Sequence, residues 1–268
     1  MKEKRLERLR KNPIILSLLL LMALFPLGLI LGIYTTLFSL LLLKVVSTSQ
    51  LQEKKQLADL KIMCLVLQHD QTARHFLKDK SYQEEMDYLV SNEKRNKYIR
   101  NLCLSLQGNS LCLFQYVEKH GEILKELIED KAQNRKVFYV HGGVEADVRD
   151  DIRAITEKSD NAIIIASYGV FSTGVNIRNL HNIIFASPSK SRIRNLQSIG
   201  RGLRLKDNNS SATLYDIADD ISYNDKTNYT LQHFKERINI YNEEDFNYEI
   251  HNVELANDKT RSWYYKDN

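Results

Sequence analysis

Residues 162–204 read AIIIASYGVFSTGVNIRNLHNIIFASPSKSRIRNLQSIGRGLR, and this stretch decides the fold of the chain. It holds two short apolar runs, at 163–166 and 183–186, with a polar, glycine-bearing loop between them. Such runs, bounded by turn signals, are typical of buried strands in a parallel sheet. Loops that leave the carboxyl ends of these strands are where α/β sheets place their ligand contacts. The stretch therefore predicts a fold class and the place of a site.

The same alternation of strand and helix extends to both sides of that stretch. Apolar runs predict further strands at 60–68, 110–114, 136–140 and 212–216, and the last of these is expected to end the sheet. Apolar residues at three- and four-residue spacing predict helices at 82–106, 117–128, 148–156 and 229–241. Strands and helices that alternate in this way form βαβ units. We therefore predict an α/β fold, a single parallel sheet over residues 60–220 with helices on both faces, followed by a C-terminal helical extension at 221–268.

Composition sets broad limits. The 268 residues can bury a large core, and the net charge of +4 is weak evidence for a polyanionic partner. The three cysteines, Cys64, Cys103 and Cys112, have neither metal-ligand spacing nor the even count of a disulfide framework. We interpret them as reduced core residues of an intracellular protein, and we predict no metal site.

The N-terminal sixty residues conflict with this picture. Residues 1–12 are basic, and residues 13–43 carry no charge. As a helix, residues 13–43 would extend about 46 Å, which exceeds a ~30 Å hydrocarbon core, so hydropathy predicts a transmembrane or hairpin segment there. Residues 44–59 are expected to be a linker. A single span would export the rest of the chain, whereas Pro26 and Gly28 could fold the run into a hairpin that keeps both ends inside. The alternatives are a cytoplasmic protein associated with the membrane through 13–43 and an apolar leader that is foreign to the gene.

The end of the deciding stretch places four residues on one helical face. Gln197, Gly200, Arg201 and Arg204 fall at i, i+3, i+4 and i+7. Two guanidinium groups and an amide, with a glycine that allows close approach, suit the oxygens of a transferring phosphoryl group. Taken alone, the pattern fits an ordinary helix with solvated charges better.

The loop after the first apolar run is rich in hydroxyl groups and glycine. Ser167, Tyr168, Gly174 and Asn176 lie in it, and such a loop can offer hydroxyl and main-chain N–H donors to phosphates. A plain strand-to-helix turn is the alternative. The loop and the arginine face together, separated by a strand, are more specific than either.

These motifs resemble those of a known family, the second RecA-like domain of superfamily 2 helicases. Residues 166–176 are similar to helicase motif V, and residues 197–204 (QSIGRGLR) to motif VI. Residues 110–121 resemble motif IV, and the turn at 141–143 with Arg149 resembles motif IVa. The sequences of residues 82–96 and 166–180 are most similar to those of phage helicases that remodel recombination intermediates and forks. The resemblance covers residues 44–255.

The resemblance implies roles on the nucleotide side. Arg204 would be the arginine finger and Arg201 a second contact to the γ-phosphate. Gln197 would help couple the nucleotide to motif V, and Gly200 would lie at the nucleotide. Gly174 and Asn176 would lie near the ribose, although many relatives have Asp where Asn176 stands.

On the nucleic-acid side, the resemblance implies contacts to backbone phosphates. The residues implied are Ser167, Tyr168, Gly142 and Gln115. Lys190, with Arg192 and Arg194, would add nonspecific phosphate affinity, or would form a solvated face.

One part of the family's machinery is missing from the printed sequence. No GxxxxGK[ST] loop occurs in it. The resemblance therefore implies that ATP with Mg²⁺ is bound only jointly with a separate N-terminal RecA-like half, and that the other partner is branched or duplex DNA, or RNA. Two alternatives stay open: a membrane-tethered nucleic-acid-binding protein without ATPase activity, and a nonfunctional gene fragment.

Overall fold

The computed structural model describes residues 59–172, 179–187 and 211–255. The strands of the sheet are β1 (Asp59–Gln68), β2 (Ser110–Phe114), β3 (Val137–Val140), β4 (Ile163–Ser167), β5 (Asn182–Phe185), β6 (Ser211–Asp220) and β7 (Tyr248–Glu254). The helices are α1 (Gln71–Leu77), α2 (Tyr82–Ser91), α3 (Glu93–Ser105), α4 (Glu122–Glu129), α5 (Ala146–Glu157), α6 (Tyr168–Ser172) and α7 (Tyr229–Glu243). A π-helical turn, Val117–Gly121, leads into α4.

The described strands form one seven-stranded sheet in the order β3-β4-β2-β5-β6-β1-β7, and every neighbouring pair is parallel. Because the strands run in the same direction, all their carboxyl ends lie along one edge of the sheet. We call this edge the carboxyl edge. The prediction of a single parallel sheet is confirmed.

Two apolar layers cover the two faces of the sheet. Alternate residues of β1 divide between them, with Ile62 in one layer and Leu65 in the other. The first layer includes Phe234 and Tyr241 of α7, and the second includes Leu102 of α3 with residues of α4. Helices therefore pack on both faces, as predicted from the alternation of elements.

The predicted helix over 82–106 is in fact two helices. Asn92 separates them with an extended backbone, φ −67° and ψ 114°. Its side-chain oxygen accepts a hydrogen bond from the main-chain N–H of Arg95 at 2.9 Å, which caps α3. The apolar periodicity continues across this residue, so periodicity alone missed the break. Helix α1, which precedes α2, was not predicted either.

The prediction that residues 212–216 form the last strand is wrong. Residues 221–255 hold a further strand, β7, which pairs with β1 at one end of the sheet. The strand was missed because it is mostly polar, and of its residues only Val253 is buried. The described part of the C-terminal extension is therefore not wholly helical.

Within the described ranges, no helix has both the length and the apolar character needed to cross a membrane. The apolar segment predicted at 13–43 lies outside those ranges.

Candidate functional site at the carboxyl edge

Strand order brings several predicted site residues to one stretch of the carboxyl edge. Strands β3, β4, β2 and β5 are consecutive neighbours there. Directly at or after their ends lie Gly142, Ser167, Gln115 and Ser187, in the same order. Residues from four separate segments of the sequence thus meet at this edge.

Most of the predicted nucleotide-binding residues lie outside the described ranges. These are Gln197, Gly200, Arg201, Arg204, Gly174 and Asn176, together with Lys190. Their roles stay predictions.

Gly142 lies in an open turn after β3. An added Cβ at this position would meet no atom within 4 Å. The turn is closed by the main-chain N–H of Val144, which donates to the carbonyl oxygen of His141 at 3.0 Å. The N–H of Gly143 donates to the Nδ1 atom of the same histidine at 3.2 Å. A fixed turn with open space around Gly142 permits a ligand to approach the main chain closely.

Ser167 and Tyr168 are both buried in the structure. The Tyr168 ring lies edge-on to Phe185, with 5.7 Å between ring centroids. The Tyr168 hydroxyl donates to the carbonyl oxygen of Ser187 at 3.1 Å. The Tyr168 side chain therefore belongs to the buried core next to the carboxyl edge. A nucleic-acid contact by Ser167 or by Tyr168 stays a prediction.

Ser187, which sequence reasoning missed, connects the ends of three strands. It follows β5, and its Oγ accepts a hydrogen bond from the main-chain N–H of Gln115, after β2, at 3.1 Å. The same Oγ lies 2.9 Å from the Nδ1 atom of His120. Its carbonyl oxygen holds Tyr168, which follows β4. A serine directly after an apolar run was the only sequence signal for this role.

His120, in the turn that leads to α4, is fully buried. Its Nε2 atom lies 3.2 Å from the side-chain oxygen of Asn96. Burial, and then the positive charge of Arg95, lower the pKa of His120 to about 3. The imidazole is therefore neutral at physiological pH.

A buried ion pair lies at the carboxyl ends of β6 and β1. The Nε atom of Arg95 donates to both carboxylate oxygens of Asp219, at 2.9 and 3.0 Å. The Nε2 atom of His69 lies 3.0 Å from the first of these oxygens. Burial alone would raise the pKa of Asp219, but Arg95 and His69 outweigh it and lower the pKa to about 2. The carboxylate is thus kept ionised away from water.

The three cysteines are buried and carry free thiols, as interpreted from the sequence. No group of His, Cys, Asp and Glu side chains suited to a metal ion occurs in the ranges that the structure describes.

Known proteins resemble this chain in sequence. Residues 93–206 match the family of the helicase conserved C-terminal domain. The chain is 37% identical over 225 residues to the ATP-dependent DNA helicase uvsW of Enterobacteria phage T4, an alignment that covers 79% of this chain and 44% of the relative. A putative ATP-dependent helicase of Saccharomyces cerevisiae, IRC3, is 31% identical over 96 residues, which is 36% of this chain and 14% of the relative. The chain thus spans less than half the length of either protein.

The fold agrees with these matches. The crystal structure of T4 UvsW superposes with a TM-score of 0.65 and 35% identity, and the match covers 75% of this chain and 42% of that one. The Type ISP restriction-modification enzyme LlaBIII, solved bound to DNA, has a TM-score of 0.52 at 15% identity over 76% of this chain and 16% of its own, and so shares the fold alone. The resemblance predicted from the motifs is confirmed: residues 93–206 match the helicase conserved C-terminal domain, and the parallel sheet is similar to that of the T4 helicase.

Proposed function

We propose that this chain is the second RecA-like half of an ATP-dependent DNA or RNA helicase or translocase of the UvsW type. The observation that carries the proposal is the carboxyl edge, where the turn after β2, the turn after β3 and the end of β4 are neighbours. These are the segments that resemble motifs IV, IVa and V. The 37% identity to a DNA helicase over most of this chain supports the same assignment.

In this proposal the edge holds the backbone of a nucleic-acid strand. Gly142 offers an unobstructed main chain, and the Gln115 turn is fixed by Ser187. Ser167 and Lys190 are proposed as further phosphate contacts. Contacts between the main chain and phosphates fix the position of a strand without reading its sequence.

The nucleotide side is completed by a second protein segment. Arg204 is proposed as the arginine finger on the γ-phosphate of ATP with Mg²⁺, and Arg201 as its neighbour. Gln197, Gly200, Gly174 and Asn176 are proposed to lie around the nucleotide. Because the printed sequence has no phosphate-cradling GxxxxGK[ST] loop, that loop and the Mg²⁺ ligands are proposed to come from an N-terminal RecA-like half. The 44% coverage of the T4 relative leaves room for such a half.

The direct test is an ATPase assay on two polypeptides. The full chain is mixed with the N-terminal part of the T4 relative, and phosphate release is measured with and without DNA. We expect DNA-stimulated release in the mixture and none from either part alone. Arg204→Ala should lower the rate by about 10³-fold or more, because an arginine finger contributes that much to phosphoryl transfer.

Arg100→Ala is the matched control for the loss of an arginine. Arg100 lies on α3 and donates to the side chain of its neighbour Asn101, at 3.0 and 2.9 Å. We expect this variant to keep the full rate. If Arg204→Ala also keeps it, the finger role is wrong, and if the mixture never releases phosphate, the proposed function is wrong.

A further inference from the structure

The donors and acceptors in the hydrogen bonds around Ser187 can be assigned in only one way. Asn96 fixes that assignment, because its amide nitrogen donates to the carbonyl oxygen of Val90 at 2.9 Å. The amide oxygen of Asn96 is then left to accept, so the Nε2 atom of His120, 3.2 Å away, carries the proton. In the neutral ring this leaves Nδ1 without a proton.

Nδ1 of His120 can therefore only accept, and its partner at 2.9 Å is the Ser187 hydroxyl. The Ser187 proton is committed to His120, so the Oγ lone pairs remain for the main-chain N–H of Gln115. The result is a chain of donors from Gln115 through Ser187 and His120 to Asn96, which ends at Val90. Each side-chain polar group in it has a partner, and Asn96, His120 and Ser187 are almost completely buried.

A buried polar chain of this kind specifies one arrangement, because breaking any bond leaves an unsatisfied group away from water. The element that it fixes is the turn after β2. Gln115 itself is only partly buried, and Tyr168 adds a second restraint by binding the Ser187 carbonyl oxygen. The rigid chain thus ends at a residue that the solvent can reach.

We propose that Ser187 and His120 are positioning residues that hold the Gln115 turn in the orientation in which the carboxyl edge binds a nucleic-acid strand. This inference rests on the nucleic-acid role proposed above for the edge. Neither residue touches the strand in this proposal. They act through the main chain of Gln115.

The first test measures the turn itself and does not depend on any activity. Amide hydrogen exchange at Gln115 is followed in the full chain, in Ser187→Ala and in Thr156→Val. Thr156 is an equally buried hydroxyl residue that donates to the Ile152 carbonyl oxygen at 2.7 Å, far from this turn. We expect Gln115 exchange to rise about fivefold or more in Ser187→Ala, since one hydrogen bond is lost, and to stay unchanged in Thr156→Val.

The tautomer of His120 provides a second readout that a purely structural packing role would not require. Nitrogen-15 spectra should show the Nε2-protonated ring in the full chain. If Ser187→Ala proves too unstable to measure, His120→Asn replaces it and should also raise exchange at Gln115. The opposite tautomer, or unchanged Gln115 exchange in these variants, would overturn the proposal.

The last test connects the turn to binding. The affinity of the full chain for labelled oligothymidylate is measured by fluorescence anisotropy, with the same three proteins. We expect the dissociation constant to rise about fivefold or more for Ser187→Ala and to stay unchanged for Thr156→Val. Ser187→Thr, which keeps the hydroxyl, should recover part of the affinity.

The outcomes separate the two proposals. If the unsubstituted chain does not bind the oligonucleotide, the proposed nucleic-acid function of the edge fails. If it binds, and Ser187→Ala binds equally well, the function stands and the positioning role is wrong.

Discussion

Asp219 is a carboxylate with no exposure to solvent, held by Arg95 and His69. Among the described residues, the Nη1 and Nη2 atoms of Arg95 have no hydrogen-bond partner, so the carboxylate is the principal compensation for that buried charge. Removing one member of a buried pair leaves the other uncompensated, which costs far more than an exposed pair contributes. We therefore expect the fold to depend on the ionisation of this single residue.

Acid should destabilise the protein through Asp219. Its pKa in the folded state is about 2, below the ordinary value of about 3.9. The stabilisation is therefore fully present above about pH 4 and is lost as the pH falls towards about 2, amounting to roughly 2 kcal/mol. Urea unfolding at several pH values from about 5 to about 2 measures it.

Asp219→Asn should be less stable at neutral pH, and its free energy of unfolding should fall less as the pH is lowered. Asp225→Asn, at an exposed aspartate, is the control and should keep the acid dependence of the unsubstituted chain. Identical pH dependence in all three proteins would contradict the role of the buried pair.

At the scale of elements, one helix supplies the cap of another. Glu85 of α2 is buried and accepts hydrogen bonds from the main-chain N–H groups of Tyr229 and Thr230, at 3.0 and 2.7 Å. It also accepts from the Thr230 hydroxyl and from Asn228. A carboxylate at this position satisfies the free N–H groups at the start of α7 and matches the helix dipole. Two elements far apart in the sequence are joined by one side chain.

Glu85→Ala should destabilise the domain by about 3 kcal/mol, because it leaves several buried donors without partners. The measurement is the midpoint of denaturant unfolding followed by circular dichroism. Glu84→Ala is a closely matched control on the same helix, since Glu84 is exposed and caps only its own helix through Ser81. The effect at Glu84 should be clearly smaller, and equal effects would show that α7 does not depend on the Glu85 cap.

How well the sequence predicted the elements follows from their burial. Strands β2 and β4 lie inside the sheet, so they are uninterrupted apolar runs and were found within a residue. Strand β7 is the outermost strand beside β1, where polar side chains are tolerated, and it was missed. The turn at Asn92 was hidden because a cap depends on one side-chain bond and leaves the apolar period intact.

The candidate site was predictable only in part, because some of its residues act through contacts that no local sequence pattern reveals. The resemblance to helicase motifs implied Gln115 and Gly142, and the structure places both at the carboxyl edge. The residues that hold the edge in place, Ser187 and His120, act through contacts between segments that are distant in sequence. No local pattern in the sequence records such a contact.

For the molecule as a whole, β7 is the strand that covers β1. Seven residues of β1, from Ile62 to Gln68, pair with β7 on one side, while β6 pairs along the other. Without β7, an apolar strand would present unpaired main-chain groups at the end of the sheet, which favours association with other chains.

A chain that ends at residue 243 should therefore self-associate, whereas a chain that ends at residue 255 should behave as the full protein does. Size-exclusion chromatography with light scattering distinguishes the two. Equal behaviour of both truncated chains would show that β7 is dispensable as a cover.

The pairing of β1 also determines the order in which the domain can form during synthesis. Strands β2 to β5 pair among themselves, so they can assemble as soon as residue 185 has been made. β1 is made first, but its partners begin only at Ser211 and Tyr248. Closing so long a loop is slow compared with local pairing, and the chain carries the first strand unpaired until that closure takes place. The earliest part of the domain to be translated is thus among the last to reach its native position.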